Sequence, residues 1–124
     1  MEKWPLEHED PKLILQEEEQ AVEAWAKLDP KRMEIYDKYY AEMYTPGALD
    51  VKTKELIATA IALMLDCKYC IAYHTREAIK AGATRKELME MALVAGTFGG
   101  GPVMGYASVA LKDAIDAFEG NYKK

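Results

Sequence analysis

A chain of 124 residues, half of them hydrophobic and 30% charged, is long enough for one ordinary core and is expected to form one domain over 1–124. That balance excludes a disordered, collagenous or low-complexity chain. The formal charge is 16 − 21 = −5, which argues against nucleic acid as a partner, because phosphate contacts need clustered Lys and Arg.

The chain starts MEKWPLEHED, without the basic-then-apolar order of a signal peptide, and its longest apolar stretch, Leu56 to Leu65, is ten residues. A membrane span needs about 20. A cytoplasmic protein without a membrane partner is therefore expected. Ala, Leu, Met, Glu and Lys are abundant and strict alternation is absent, so the fold class is all-α, with six helices. The first covers about 11–28 and ends before Asp29–Pro30. Residues 1–50 hold 13 acids against 6 bases, so this front is expected to face solvent, with His8 solvated among the acids. Pro30 opens the second helix, which runs to Tyr44 before Thr45–Pro46–Gly47 breaks the chain. Its tyrosines, Tyr36, Tyr39, Tyr40 and Tyr44, predict a surface between helices or between subunits.

Asp50 is the N-cap of a third helix over about 51–65. A fourth covers about 68–81 and closes at Gly82. Thr84 and Glu87 form a capping box for a fifth over about 85–97. Gly99–Gly100–Gly101–Pro102 separates it from one continuous sixth helix, about 102–118. The runs LIATAIALML (56–65) and PVMGYASVAL (102–111) are apolar on nearly all sides, which predicts burial between chains as well as within one. Met64, Met89, Met91 and Met104 read as core filler.

Chemistry concentrates in DCKYCIAYHTREAIKAG, residues 66–82. Cys67 and Cys70 fall at a loop–helix junction, where free backbone N–H groups and the helix dipole stabilise a thiolate. Lys68 adds a positive charge nearby. His74 follows Cys70 by four residues on the same helical face, within reach directly or through one water. Histidine as a residue type can take and return a thiol proton near neutral pH. Glu55 is the third member if the chain reverses near Asp66. The two arms then differ by five residues, roughly 7 Å of axial offset, to be covered by the Glu side chain and a water or by a bent hairpin. Tyr69 and Tyr73 are candidate pocket walls. Two inert buried thiols are the plainer alternative. Cys67, Cys70, His74 and Glu55 could together supply four zinc ligands, but no second Cys-x-x-Cys or His pair accompanies them, so neither metal nor cofactor is expected.

Glu55, then Cys67 twelve residues on, Cys70, His74 and the following TREAIKAGAT resemble the carboxymuconolactone decarboxylase superfamily, more narrowly its alkylhydroperoxidase D-like (AhpD-like) branch. GALDVKTKELIATAIAL upstream and ELMEMALVAGTFGGGPVMGYA downstream extend the resemblance over about 30–118. It implies an AhpD-like helical fold, a homo-oligomer (trimer or hexamer), and an antioxidant thiol–disulfide and peroxide chemistry. Glu55 and His74 would activate Cys70, Cys70 would attack a peroxide or disulfide substrate, and Cys67 would resolve the product. A dithiol donor, a lipoyl group or a thioredoxin-like protein, would return the electrons. The peroxidase for which the AhpD-like branch is named has a histidine between the cysteines where this chain has Tyr69. A phenol, with a pKa of about 10, is a poor shuttle near neutral pH, which favours disulfide exchange. A lactone decarboxylase, or a non-catalytic oligomeric binding module, are the alternatives.

Overall fold

The computed structural model describes residues 8–122, so most of the stretch on which the leader expectation rests, 1–7, lies outside the described residues. The helices are α1 (Pro11–Leu28), α2 (Pro30–Met43), α3 (Val51–Met64), α4 (Lys68–Lys80), α5 (Arg85–Gly99), α6 (Gly101–Tyr106) and α7 (Lys112–Phe118). A π-helical turn, Ala107–Leu111, joins α6 to α7, and a 3-10 turn, Glu119–Tyr122, follows. No strand occurs among the described residues, as the all-α reading expects.

The caps explain why these segments begin where they do. Asp10, Asp29 and Asp50 each accept a backbone N–H of the following turn, that of Thr53 at 2.7 Å for Asp50. Thr84 and Glu87 form the predicted capping box on α5. Gly100 (φ 61°) turns the chain between α5 and α6 in the left-handed region that favours glycine.

The sixth predicted helix is not one regular helix. Its ladder widens at Ala107–Leu111, where the Ser108 hydroxyl donates to the Met104 carbonyl at 2.6 Å. Such back-bonding competes with the helical ladder, and the small residues around it tolerate a wider coil.

The antiparallel pair α3–α4 is the centre of the molecule, with α5, α7 and part of α1 packed around it. Leu63, Ile71, Leu88, Leu111 and Ile115 are buried almost completely, each such side chain contributing about 2 kcal/mol by leaving water. Lys52 of α3 pairs with Glu87 of α5 at 2.9 Å, and Arg85 of α5 with Asp116 and Glu119 beyond it. As expected, α1 is mostly solvent-facing, burying only Pro11 and Leu15.

Two expectations are corrected. His8 is largely buried, its Nδ1 2.8 Å from Asp113 Oδ2, because that carboxylate of α7 takes it as a partner. Met64, Met89 and Met104 are partly exposed rather than core filler. They join a set of exposed apolar side chains that includes Ile57 and Ile61 of α3, Leu93, Val94 and Phe98 of α5, and Val109, with Phe98 at 85% exposure. Helix α5 was not foreseen as part of it.

Candidate active site: a cysteine pair beside a buried Glu–His–Tyr chain

The turn between α3 and α4 sets the cysteines. Cys67 N–H donates to the Ala62 carbonyl and Asp66 N–H to that of Leu63, closing α3 in a Schellman turn. The residue at the left-handed position is Asp66 (φ 53°), one of the few non-glycine types that tolerate it. Cys67 is at once the last residue of that turn and the N-cap of α4, where its Sγ accepts the Cys70 N–H at 3.2 Å. Cys70 follows in the first turn of α4. The two Cα atoms are 5.3 Å apart, and the sulfurs are close enough to form a disulfide.

Glu55 and His74 meet across the hairpin. His74 Nδ1 lies 2.9 Å from Glu55 Oε2, and Glu55 is 3% exposed. The axial offset is covered by the side chains directly, with no bridging water required. A carboxylate at Nδ1 fixes the proton there, leaving Nε2 as an acceptor. That nitrogen is 3.1 Å from the Tyr40 hydroxyl, which donates to it. The expected approach of His74 to the Cys70 sulfur is therefore not a hydrogen bond in this structure, because both ring nitrogens are engaged elsewhere.

Tyr40 is the residue that sequence reasoning missed. Its place in the sequence pattern marks only a tyrosine surface. Tyr40 and Tyr44 do form that interhelical surface, with Tyr44 stacked on the His74 ring at 5.5 Å and Tyr73 edge-on at 5.0 Å. Spacing of Tyr36, Tyr40 and Tyr44 at four residues was the available signal, since it puts them on one face of α2. Burial raises the Tyr40 hydroxyl far above the usual phenol range, and the neighbouring Tyr44 and Tyr73 phenols and the Glu55 carboxylate add to the shift. Tyr44 and Tyr73 are also raised, again mainly by burial. All three stay protonated at neutral pH and can donate.

Lys68 does not serve the cysteines as expected. Its Nζ pairs with Glu9 Oε2 at 2.8 Å. Tyr69 and Tyr73 are placed as wall residues on different sides. Tyr73 packs against His74, while the Tyr69 hydroxyl donates to Glu17 and lines an open groove of about 500 Å³ between α1 and α4. Cys70 is part of that groove's lining and Cys67 is not. Among the described residues, no three His, Cys, Asp or Glu side chains gather as a metal site, and no helix is long and apolar enough to cross a membrane.

An all-α fold centred on an α3–α4 hairpin, with a cysteine pair at its turn, defines a class that comparison identifies. The chain belongs to the carboxymuconolactone decarboxylase family, whose sequence model matches residues 30–113. It is similar to a family member from Legionella pneumophila, solved in its apo form, at 35% identity and TM-score 0.79, over 91% of this chain and 97% of that one. It also resembles a Thermotoga maritima member, for which a part in the antioxidative response has been suggested, at 32% identity and TM-score 0.62, over 72% and 89% of the two chains. A protein of Cupriavidus necator of no assigned function is 35% identical over 96 residues, 76% of this chain and 85% of its own length.

Proposed function

We propose that this protein is a thiol–disulfide oxidoreductase of the AhpD-like type that also reduces hydroperoxides. The observation that carries the reading is the cysteine pair itself. Its Cα separation of 5.3 Å suits a reversible bridge, it sits at a helix N-terminus, and Cys70 lies on an open groove. The antioxidative role suggested for the Thermotoga relative agrees with it.

Cys70, as thiolate, attacks one sulfur of a disulfide R–S–S–R. The substrate bond breaks, one RS⁻ leaves and takes a proton, and Cys70 is held in a mixed disulfide. Cys67 then attacks the Cys70 sulfur, the second RS⁻ leaves and is protonated, and the Cys67–Cys70 bridge closes. Two electrons pass from the cysteine pair to the substrate. With a hydroperoxide, Cys70 attacks the terminal oxygen, the O–O bond breaks and an alcohol leaves. Cys67 then displaces water from the resulting sulfenic acid. A dithiol donor, a lipoyl group or a thioredoxin-like protein, reopens the bridge by attacking Cys70 from the groove. Cys67 departs as a thiolate already held by the Cys70 N–H.

His74 takes the Cys70 proton at Nε2, and the Tyr40 hydroxyl, 3.1 Å from that nitrogen, holds the ring in place for the transfer. Glu55 at Nδ1 stabilises the imidazolium that forms. The exposed apolar faces of α3 and α5 are the surfaces through which chains would associate as a trimer or hexamer.

The test is alkylation of Cys70 by iodoacetamide in a Cys67→Ser background, where serine keeps the helix cap. Both His74→Ala and Tyr40→Phe should slow it near pH 7 by about tenfold, and Glu55→Gln by less. Unchanged rates from pH 5 to 9 in all three would leave the helix terminus alone as the activating element. A reduced protein that gives up no thiols to any disulfide or hydroperoxide would remove the redox reading and favour a cysteine-independent family reaction such as lactone decarboxylation.

A further inference from the structure

The groove that holds Cys70 has a charge pattern with consequences for what can reach the sulfur. Val22 and Trp25 of α1 form an apolar wall, and Trp25 is 69% exposed as it stands. Glu17 and Glu18, one turn earlier on α1, supply two carboxylates, and no Lys, Arg or His lines the space. Glu17 accepts the Tyr69 hydroxyl, so it is fixed beside the cysteine-bearing turn. Glu18 Oε2 is buried with no hydrogen-bond partner. Lys68 borders the space, its Nζ 5.3 Å from the centre of the Tyr69 ring, with its charge paired to Glu9 at 2.8 Å. The volume of about 500 Å³ suits a compact organic molecule.

We propose that this groove is the disulfide-binding site, and that Glu17 and Glu18 make it selective for apolar disulfides without negative charge, cationic ones above all. The inference rests on the thiol–disulfide reading given above and adds the substrate class. An anionic disulfide would bring its charges beside two carboxylates and an attacking thiolate, and the departing thiolate adds a further negative charge in the same place. The apolar wall lowers the local dielectric and lengthens the reach of that repulsion. A cationic disulfide meets the opposite field. The neutral, apolar part of either molecule packs on Val22 and Trp25.

Three disulfides of similar size separate the possibilities: cystamine, hydroxyethyl disulfide and dithiodipropionate, carrying positive, zero and negative charge. Each is mixed with the reduced full-length protein, and its rate of oxidising Cys67–Cys70 is divided by its own rate with dithiothreitol, which removes intrinsic reactivity. At low salt the normalised rate for cystamine should exceed that for dithiodipropionate by about tenfold or more, with hydroxyethyl disulfide between them. That ratio should shrink severalfold at about 0.5 M salt, where screening is nearly complete over the groove's dimensions. It should also shrink in the Glu17→Gln/Glu18→Gln double variant, in which the amides keep the shape and the Tyr69 acceptor. Should that variant fail to fold, the salt dependence of the unaltered protein decides alone. Normalised rates equal within about twofold, or a ratio that neither salt nor the double variant changes, would overturn the selectivity while leaving disulfide exchange standing. Failure of all three disulfides to react would overturn the thiol–disulfide reading itself, and the selectivity with it.

Discussion

Removing either end of the Glu55–His74 pair should expose how much of the fold hangs on it. In Glu55→Ala, the Nδ1–H of a mostly buried imidazole loses its acceptor, at a cost of about 1–3 kcal/mol. In His74→Ala, a carboxylate only 3% exposed loses its partner, and the expected cost is larger, about 3–5 kcal/mol. The double variant leaves neither orphan, so the two losses should not add. A coupling of about 1.5–3 kcal/mol follows for a charge-assisted bond of 2.9 Å shielded from water. Urea unfolding of the oxidised protein at one fixed concentration measures it, because association would otherwise shift the midpoints. A coupling below about 0.5 kcal/mol would mean the two groups do not sense each other, and the relay built on them would fall.

Further consequences follow from neighbouring features. A Cβ at Gly99 would stand 2.1 Å from Val103 Cγ2 and 2.9 Å from Met64 Sδ, and Val103 is buried, so Gly99→Ala should lose about 1–3 kcal/mol of unfolding free energy in urea; no loss would mean α5 and α6 are not this close. Tyr40, Tyr44 and Tyr73 have raised pKa values in the folded chain, so the folded state holds more protons than the unfolded state above the ordinary phenol pKa of about 10. Stability from this source is complete below that pH and is lost as pH rises toward the folded values; Tyr40→Phe should lose less stability than the unaltered protein between pH 8 and 10.5, and equal losses would contradict the assignment. Light scattering at micromolar concentration should give a multiple of the chain mass, reduced to the monomer by Leu93→Glu on the exposed face of α5; an unaltered monomer would contradict the assembly.

Much of the frame was legible because it rests on local chemistry. Asp50, Thr84 with Glu87, Pro30 and Gly82 act within one turn of where they stand, so their caps and stops could be read from adjacent residues. The Cys67–Cys70–His74 spacing was likewise readable, being fixed by one helix. What escaped depends on how helices dock. Tyr40 reaches His74 from 34 residues away, and the spacing of its neighbours Tyr36 and Tyr44 marks a shared face but not the partner. The direct closure of Glu55 on His74 was obscured by a residue count that gave helix positions but not side-chain reach. Lys68 beside Cys67 suggested activation, yet its partner Glu9 lies 59 residues earlier. The π-helical turn escaped because small residues such as Gly105, Ala107 and Ala110 satisfy a regular helix equally well, and only the Ser108 hydroxyl marks the departure.

The most direct test of the redox reading is equilibration of the protein in dithiothreitol buffers of graded potential, followed by alkylation and intact mass. The account predicts one two-electron transition in which each chain gains or loses two alkyl groups together, with the bridge mapped to Cys67 and Cys70 of the same chain. Two cysteines alkylated at every potential, or bridges formed only between chains, would contradict it.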